Sequence, residues 1–431
     1  MRRLLSSLLL CLAVPAAAQE FTTYKGHGGP VMGLAMTADG TLTSASFDNS
    51  IGLWPGPRWL EGHDAAVNVV VPFQPGVLVS GGDDFALWLW DGDQGQKLGS
   101  HKGKIQDIAT TGTLIATGSW DGSIGIWIAV RSSATGGWSA IRKDLTGHNA
   151  GINAVAFSAD GKRLYSASSD GTIRLWENGG SISRVLVSNG FAINELVVNE
   201  AEGWLAYGAV DGVTRIVNPS TGAQIADLTL ERRPILAMDY HAAANQLAVG
   251  DGQGFIMMID TKTWRITRDF KAMRDGPVWA LAFSNDGQTI HAGGIEDLIY
   301  AWPVALLDTY DPVGGAGRSF LRDAETMPNG ERQFMRKCSI CHSLEAGPSR
   351  KAGPTLFGVF GRPAGALEGY RYSETLTGSD IIWDDATIDA LFDQGPDHYI
   401  PGSKMPMQVI AAPQDRADLI AFLRSRTEGG E

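Results

Sequence analysis

The sequence predicts two domains, an all-β propeller of seven blades followed by a small all-α domain. Three observations predict this. A repeat of roughly 35 to 45 residues, opened by Gly-His and closed by Trp, runs through residues 19–307. Residues 308–326 then contain Asp311-Pro312-Val313-Gly314-Gly315-Ala316-Gly317, the Pro/Gly composition of a linker. Residues 327–431 lose the repeat and carry one dense motif, Cys338-Ser339-Ile340-Cys341-His342, between helical patterns at Asn329 to Lys337 and Gln414 to Arg426.

Residues 1–18 read as a secretory signal. Arg2 and Arg3 supply the charge, Leu8 to Val14 the apolar core, and Ala16-Ala17-Ala18 a small-residue cleavage site. The apolar run is too short to span a bilayer. Cys11 lies inside it, after Leu10, a residue too large for a lipoprotein site. Cleavage after Ala18 leaves Cys338 and Cys341 as the only cysteines. A bacterial periplasmic location is therefore expected, with export of the unfolded chain.

Four repeats are regular. They open at Gly26-His27, Gly62-His63, Ser100-His101 and Gly147-His148, and close on Trp54, Trp90, Trp127 and Trp176. Asp48, Asp84, Asp121 and Asp170 precede those tryptophans at a constant spacing. Ser44, Ser80, Thr117 and Ser166 precede the aspartates in turn. This order is similar to the His–Ser/Thr–Asp–Trp network of WD40 blades. Buried polar groups must be paired, and a chain of four side chains pairs each with the next. The four histidines are accordingly expected to be structural.

Three weaker repeats follow. Phe191 to Asn218 carries Asp211-Gly212; Pro234 to Asp260 keeps alternating strands without the network; Val278 to Trp302 keeps Phe283-Ser284-Asn285-Asp286-Gly287 and a closing Trp302. The WD40 resemblance implies that Phe21 to Tyr24 supplies the outer strand of the last blade, closing the ring. His241 and His291 are the remaining candidate ligands in this domain, though a lone strand histidine more often packs. Gly250-Asp251-Gly252-Gln253-Gly254 and Asp91-Gly92-Asp93 read as blade turns, not as phosphate or calcium loops, because no helix or further ligands follow. Arg232-Arg233 reads as solvated surface.

Cys-x-x-Cys-His is the attachment sequence of a c-type haem. Two thiols at this spacing add to the two vinyl groups of one haem, and the histidine offers its imidazole to the iron. A thioredoxin-like pair would require a βαβ setting, and a zinc site two further ligands nearby. The motif is followed by Gly353-Pro354-Thr355-Leu356, Gly358-Val359-Phe360-Gly361-Arg362, Tyr370-Arg371-Tyr372-Ser373, Ile381-Ile382-Trp383 and Tyr399-Ile400-Pro401-Gly402-Ser403-Lys404-Met405-Pro406. This order resembles class I cytochrome c of the mitochondrial and c2 type over about the last hundred residues. The resemblance implies one covalent haem c on Cys338 and Cys341, with His342 and Met405 as axial ligands. A thioether suits haem iron, and a Met/His pair raises its potential. Met407 is the competing sulfur. The resemblance further implies that the Pro354 carbonyl holds the His342 ring and that Arg362, Tyr372 and Trp383 hold the propionates. Phe392 departs from it, standing where the family usually has a tyrosine that reaches the methionine.

The net charge is −12, so nucleic acid is not an expected partner. Lys337, Lys351 and Lys404 sit beside the haem motif, the Gly-Pro motif and the methionine loop, positions that in the family ring the haem edge. The expected function is one-electron transfer, with the propeller as docking scaffold for a respiratory or periplasmic redox protein. Two other functions stay open: a substrate-converting propeller that feeds the haem, and a redox sensor or assembly factor.

Overall fold

The computed structural model describes residues 21–132, 136–229, 234–307, 328–339, 341–347, 351–405 and 408–427. The signal at 1–18, the linker at 308–326, Arg232-Arg233, Ile340, Pro406 and Met407 lie outside them. Seven four-stranded antiparallel sheets form the propeller. Blade 1 runs Val31–Met36, Leu42–Ser46, Ser50–Trp54 and Arg58–Glu61, and blades 2 to 6 repeat this order through Arg265–Lys271. Blade 7 takes Val278–Phe283, Thr289–Gly294 and Leu298–Pro303 from the end of the ring. Its outer strand is Thr22–Lys25, paired Thr22↔Ala301 through Lys25↔Leu298. The N-terminal strand therefore closes the ring, and Phe21 stacks on Trp302 with centroids 4.6 Å apart. Closure pairs an edge that would otherwise be open.

The innermost strand of every blade starts with a buried β-branched residue: Val31, Val67, Ile105, Ile152, Ile193, Ile235 and Val278. It packs against the preceding blade so closely that a Cβ at Gly81 would lie 2.5 Å from Ile105. The register then skips one residue in all seven strands. A bulge of this kind re-aims the extra side chain. The skipped residues, Met32, Asn68, Gln106, Asn153, Asn194, Leu236 and Trp279, all line a central channel cavity of about 350 Å³. Three of them clamp adjacent blades. The Nδ2 groups of Asn68, Asn153 and Asn194 donate to the carbonyls of Ile105, Ile193 and Ile235 at 3.0, 2.9 and 2.8 Å. Asp107 and Asp239 do the same as acceptors from the N–H groups of Val155 (2.8 Å) and Phe283 (2.7 Å). Burial pushes the Asp107 carboxyl up to about 6.

Blades 1 to 4 contain the four-residue network. In blade 1 the Trp54 indole donates to Ser44 Oγ (2.8 Å), Ser44 lies 2.7 Å from His27 Nε2, and His27 Nδ1 lies 3.0 Å from Asp48. Blades 2, 3 and 4 repeat it through His63, His101 and His148, with Nδ1–Asp distances of 2.9, 3.2 and 2.9 Å. One set of protons satisfies the chain: Trp N–H to hydroxyl, hydroxyl to Nε2, Nδ1–H to carboxylate. Burial holds His101 and His148 below the usual imidazole range. Burial would raise Asp121 and Asp170, yet the hydrogen bonds they accept hold both down at about 2.

Blades 5 to 7 keep the sheet without that network. Blade 7 substitutes a different pair, the Tyr300 hydroxyl donating to buried Glu296 at 2.7 Å. His241 is spent on backbone, with Asn285 O 3.1 Å from Nε2 and Ala244 N–H donating to Nδ1. The Nδ1 of His291 is 3.0 Å from Ala282 O. Among the described residues neither histidine belongs to a cluster of candidate metal ligands.

The C-terminal domain is helical. Its elements are α1 (Asn329–Lys337), α2 (Asp385–Gln394), α3 (Pro396–Tyr399) and α4 (Pro413–Thr427). α1 packs on α4 through Phe334 and Phe422, 5.5 Å between rings, and through Asn329, which donates to Asp415 and Asp418. α2 is capped by Asp384, whose carboxylate accepts from Thr387 N–H while the Thr387 hydroxyl accepts from Asp384 N–H, a reciprocal cap. Arg416 of α4 ties to Asp389 and Asp393 of α2 at 2.7 and 3.0 Å. Among the described residues no helix is long and apolar enough to cross a membrane.

Candidate functional site

α1 ends at Lys337, and Cys338 of the haem-attachment motif caps it at the start of a turn. Cys341 N–H and His342 N–H both donate to Cys338 O, at 3.0 and 2.9 Å. Residues three and four apart on a helical turn share a face, so Cys338, Cys341 and His342 all look onto one cavity of about 550 Å³. The chain then doubles back. Gly353 N–H donates to Cys341 O at 2.7 Å, and a Cβ at Gly353 would lie 2.4 Å from the His342 ring. Only glycine permits that pass. It delivers Pro354, whose carbonyl lies 2.8 Å from His342 Nδ1. Nδ1–H is thereby the donor, and Nε2 carries the lone pair.

Burial lowers the His342 imidazole below its ordinary value, against the raising effect of the Pro354 bond, so it is neutral at pH 7. A neutral imidazole is the form that binds a metal. Burial pushes the Cys338 thiol up to about 12 and Cys341 to about 11. Both sulfurs are therefore protonated near neutrality and lie within an apolar lining.

The structure brings all eight sequence-predicted residues to this cavity: Cys338, Cys341, His342, Pro354, Arg362, Tyr372, Trp383 and Met405. Arg362 also fixes the returning loop, donating to Thr355 O at 2.8 Å and Phe357 O at 3.1 Å. Trp383 is held beside it by two backbone bonds, Gly361 N–H to Trp383 O and Trp383 N–H to Arg362 O. Tyr372 meets Tyr370 edge-on at 4.8 Å, and the Tyr370 hydroxyl donates to Ala352 O at 2.6 Å. Met405 follows α3 on a turn where Ser403 N–H donates to Ile400 O and Met405 N–H to Ser403 Oγ. It packs against the same core as Cys338. Phe392 is buried in the wall where the resemblance implied a hydroxyl.

Sequence reasoning missed several lining residues. Tyr370 stands in the quoted Tyr-Arg-Tyr run, and its place two residues before Tyr372 was the available signal. Leu391 and Ile400 were readable only as core. The propeller's contribution was invisible: Asp64, Phe85, Lys104 and Trp120 line the same cavity. The three lysines differ in their engagements. Lys337 lines the cavity, Lys351 donates to Ser339 O at 3.0 Å, and Lys404 lies 3.0 Å from Asp64 of the propeller.

A haem fits these residues. Two cysteines three residues apart, an imidazole with Nε2 available and a thioether share one apolar cavity with Arg362 and the aromatic rings of Tyr372 and Trp383 among those at its wall.

Known proteins match the two domains separately. Residues 328–427 match the Cytochrome c family, and residues 18–55, 92–127 and 139–177 match the family described as WD domain, G-beta repeat. The cytochrome c of Sesamum indicum is 43% identical over 100 residues, which are 23% of this chain and 88% of that protein. Those of Arabidopsis thaliana and Cochliobolus lunatus are 42% and 41% identical over 101 residues, 88% and 91% of their lengths and 23% of this chain. The crystal structure of the WD40 beta propeller domain of Doa1 superposes with a TM-score of 0.55 at 19% identity, covering 65% of this chain and 94% of that one. That likeness concerns the fold alone.

Proposed function

We propose that this chain, which belongs to the cytochrome c family through residues 328–427, is an exported electron-transfer protein with one covalent haem c. Bound haem supplies reversible one-electron exchange at its iron. Cys338 and Cys341 anchor the haem, His342 and Met405 ligate the iron, and Pro354 orients the His342 ring. Arg362, Tyr372 and Trp383, which line the cavity, would hold the propionates. The observation that supports this most is the pairing of His342 Nδ1 with Pro354 O at 2.8 Å. It commits one ring nitrogen and leaves Nε2 as the ligand. The propeller is the protein-docking scaffold, because a closed ring offers wide rigid faces. The external partner is a redox protein of a respiratory chain or a periplasmic dehydrogenase. The channel lends little to a substrate-converting reading, since three of its asparagines are spent on neighbouring backbone.

The test is haem stoichiometry in the purified full-length protein. One haem per chain, retained in acid acetone and giving a low-spin spectrum, is the expected result. Extractable haem, or a second haem, contradicts it.

A further inference from the structure

We infer that the propeller face around Asp64, Phe85 and Trp120 is a docking surface for the haem-bearing domain of the same chain, held by ion pairs from Asp64 to Arg371 and Lys404. The inference rests on the proposed function, in that the docked domain is read as carrying the haem. It adds which protein surface the scaffold engages first.

Three observations carry it. The first is charge. Asp64 pairs with the guanidinium of Arg371 and lies 3.0 Å from Lys404 Nζ. Lys404 neighbours Met405, and its side chain is only 26% exposed. In the four regular blades the residue after the network histidine is Gly28, Asp64, Lys102 or Asn149. Blade 2 alone places an acid there.

The second is the turn between the second and third strands of each blade. It reads Phe47-Asp48-Asn49 in blade 1, Asp83-Asp84-Phe85 in blade 2, Trp120-Asp121-Gly122 in blade 3 and Ser169-Asp170-Gly171 in blade 4. Its third position is left-handed. Gly122 and Gly171 adopt φ of 85° and 81° there, and Phe85 adopts 65°. A bulky side chain at positive φ is costly, and such outliers gather at functional contacts. Phe85 is nevertheless 41% exposed and Trp120 54% exposed. These exposures are those of the whole chain with the haem-bearing domain in place, so packing against protein does not explain either side chain, and both stay open to the cavity.

The third is placement. Phe47, Phe85 and Trp120 all border the cavity that holds Cys341, His342 and Met405. Lys104 lies over the Trp120 ring at 3.6 Å and borders the same space. Aromatic turn residues occur in the three blades that border this cavity. The corresponding turns of blades 4 to 7, Ser169-Asp170-Gly171, Val210-Asp211-Gly212, Gly252-Gln253-Gly254 and Ile295-Glu296-Asp297, contain none. Propeller side chains thus wall the cavity that would hold the haem, and Asp64 engages a cation that an acidic redox partner would otherwise meet.

The experiment uses the full-length holoprotein. Reduction of the ferric haem by a small neutral hydroquinone is followed by stopped flow at low ionic strength, and the radius of gyration by small-angle scattering. The neutral probe keeps a change of surface charge from altering the encounter itself. Asp64→Lys is expected to speed reduction about fivefold to tenfold, the factor that losing exposed ion pairs gives to a docking equilibrium, and to expand the particle. Pairing Asp64→Lys with Arg371→Glu is expected to return both readings toward wild type. Equal rates and equal dimensions for wild type and Asp64→Lys overturn the inference. A double variant that stays fast and expanded overturns the ion-pair contact. A sample without a covalent-haem spectrum fails the proposed function instead, before any rate is read.

Discussion

Buried polar groups are put to opposite uses in the two domains. In blades 1 to 4 each buried imidazole has both nitrogens engaged within its own blade, and each hydroxyl joins an indole to a histidine. In the C-terminal domain His342 engages Nδ1 and, among the described residues, leaves Nε2 without a hydrogen-bond partner. The Met405 sulfur and the two thiols face the same space. A saturated network is architecture, whereas a half-engaged one, gathered with soft ligands around a cavity, is a site. A second contrast lies inside the propeller. Blades 5 to 7 hold the same sheet without the four-residue network, so the blade itself rests on apolar packing and the network reinforces it.

The largest effect is expected where the site is dismantled. Cys338→Ala with Cys341→Ala should abolish covalent haem and remove the cooperative melting of the C-terminal domain, whose core side chains Leu391, Phe392 and Ile400 line the haem cavity. The propeller transition should stay in place. Calorimetry of the full chain reads both, and a shared loss would mean that the domains do not fold separately. Next in size is the packing that all blades share. Trp302 is 0% exposed and touches Phe21, Phe270 and Tyr300. Trp302→Ala should cost about 3–5 kcal/mol in denaturant titration. Network removal should cost less. Asp121→Ala should destabilise the propeller by about 1–3 kcal/mol by leaving buried partners unpaired, with the haem spectrum unchanged. Equal costs for Trp302→Ala and Asp121→Ala would erase the distinction between packing and reinforcement.

The smallest effect is on pH dependence. Asp121 and Asp170 titrate at about 2 in the fold, below about 3.9 for an unfolded aspartate. Between those values the unfolded chain binds protons that the folded chain does not. Their stabilisation is therefore present above about pH 4 and lost as pH falls toward 2. The lowered values of His101 and His148 act in the same sense, beginning as pH falls through about 6.5, where unfolded histidine takes up its proton. Asp107, raised to about 6, and Glu195, raised by burial and by Asp107, act in the opposite sense. Comparing wild type with Asp121→Asn, Asp170→Asn cancels those two. The variant's melting temperature should fall less steeply below pH 4, and parallel curves would refute the network's role.

Legibility followed distance along the chain. Cys338, Cys341 and His342 lie within one turn, so their spacing alone disclosed a shared face. The regular blades were legible because four copies of one spacing reinforce one another, and the closing strand because a ring needs it. Blades 5 to 7 were legible only as alternation and turns, since Tyr300 and Glu296 form a pair of different chemistry. The asparagine clamps were missed because each partner lies 37 to 41 residues away and is a backbone carbonyl. Asp64 was unreadable for the same reason at a larger scale. Its partners Arg371 and Lys404 stand in the other domain, 307 and 340 residues along the chain.

Electron transfer at a haem ligated by His342 and Met405 is the central claim, and the reduction potential tests it most directly. Spectroelectrochemical titration would compare the full-length protein with Met405→Ala and Met407→Ala. Loss of the sulfur-to-iron band and a lower potential in Met405→Ala, with Met407→Ala like wild type, is the predicted result, because the Met/His pair is what raises the potential. An unchanged band and potential in Met405→Ala would contradict it.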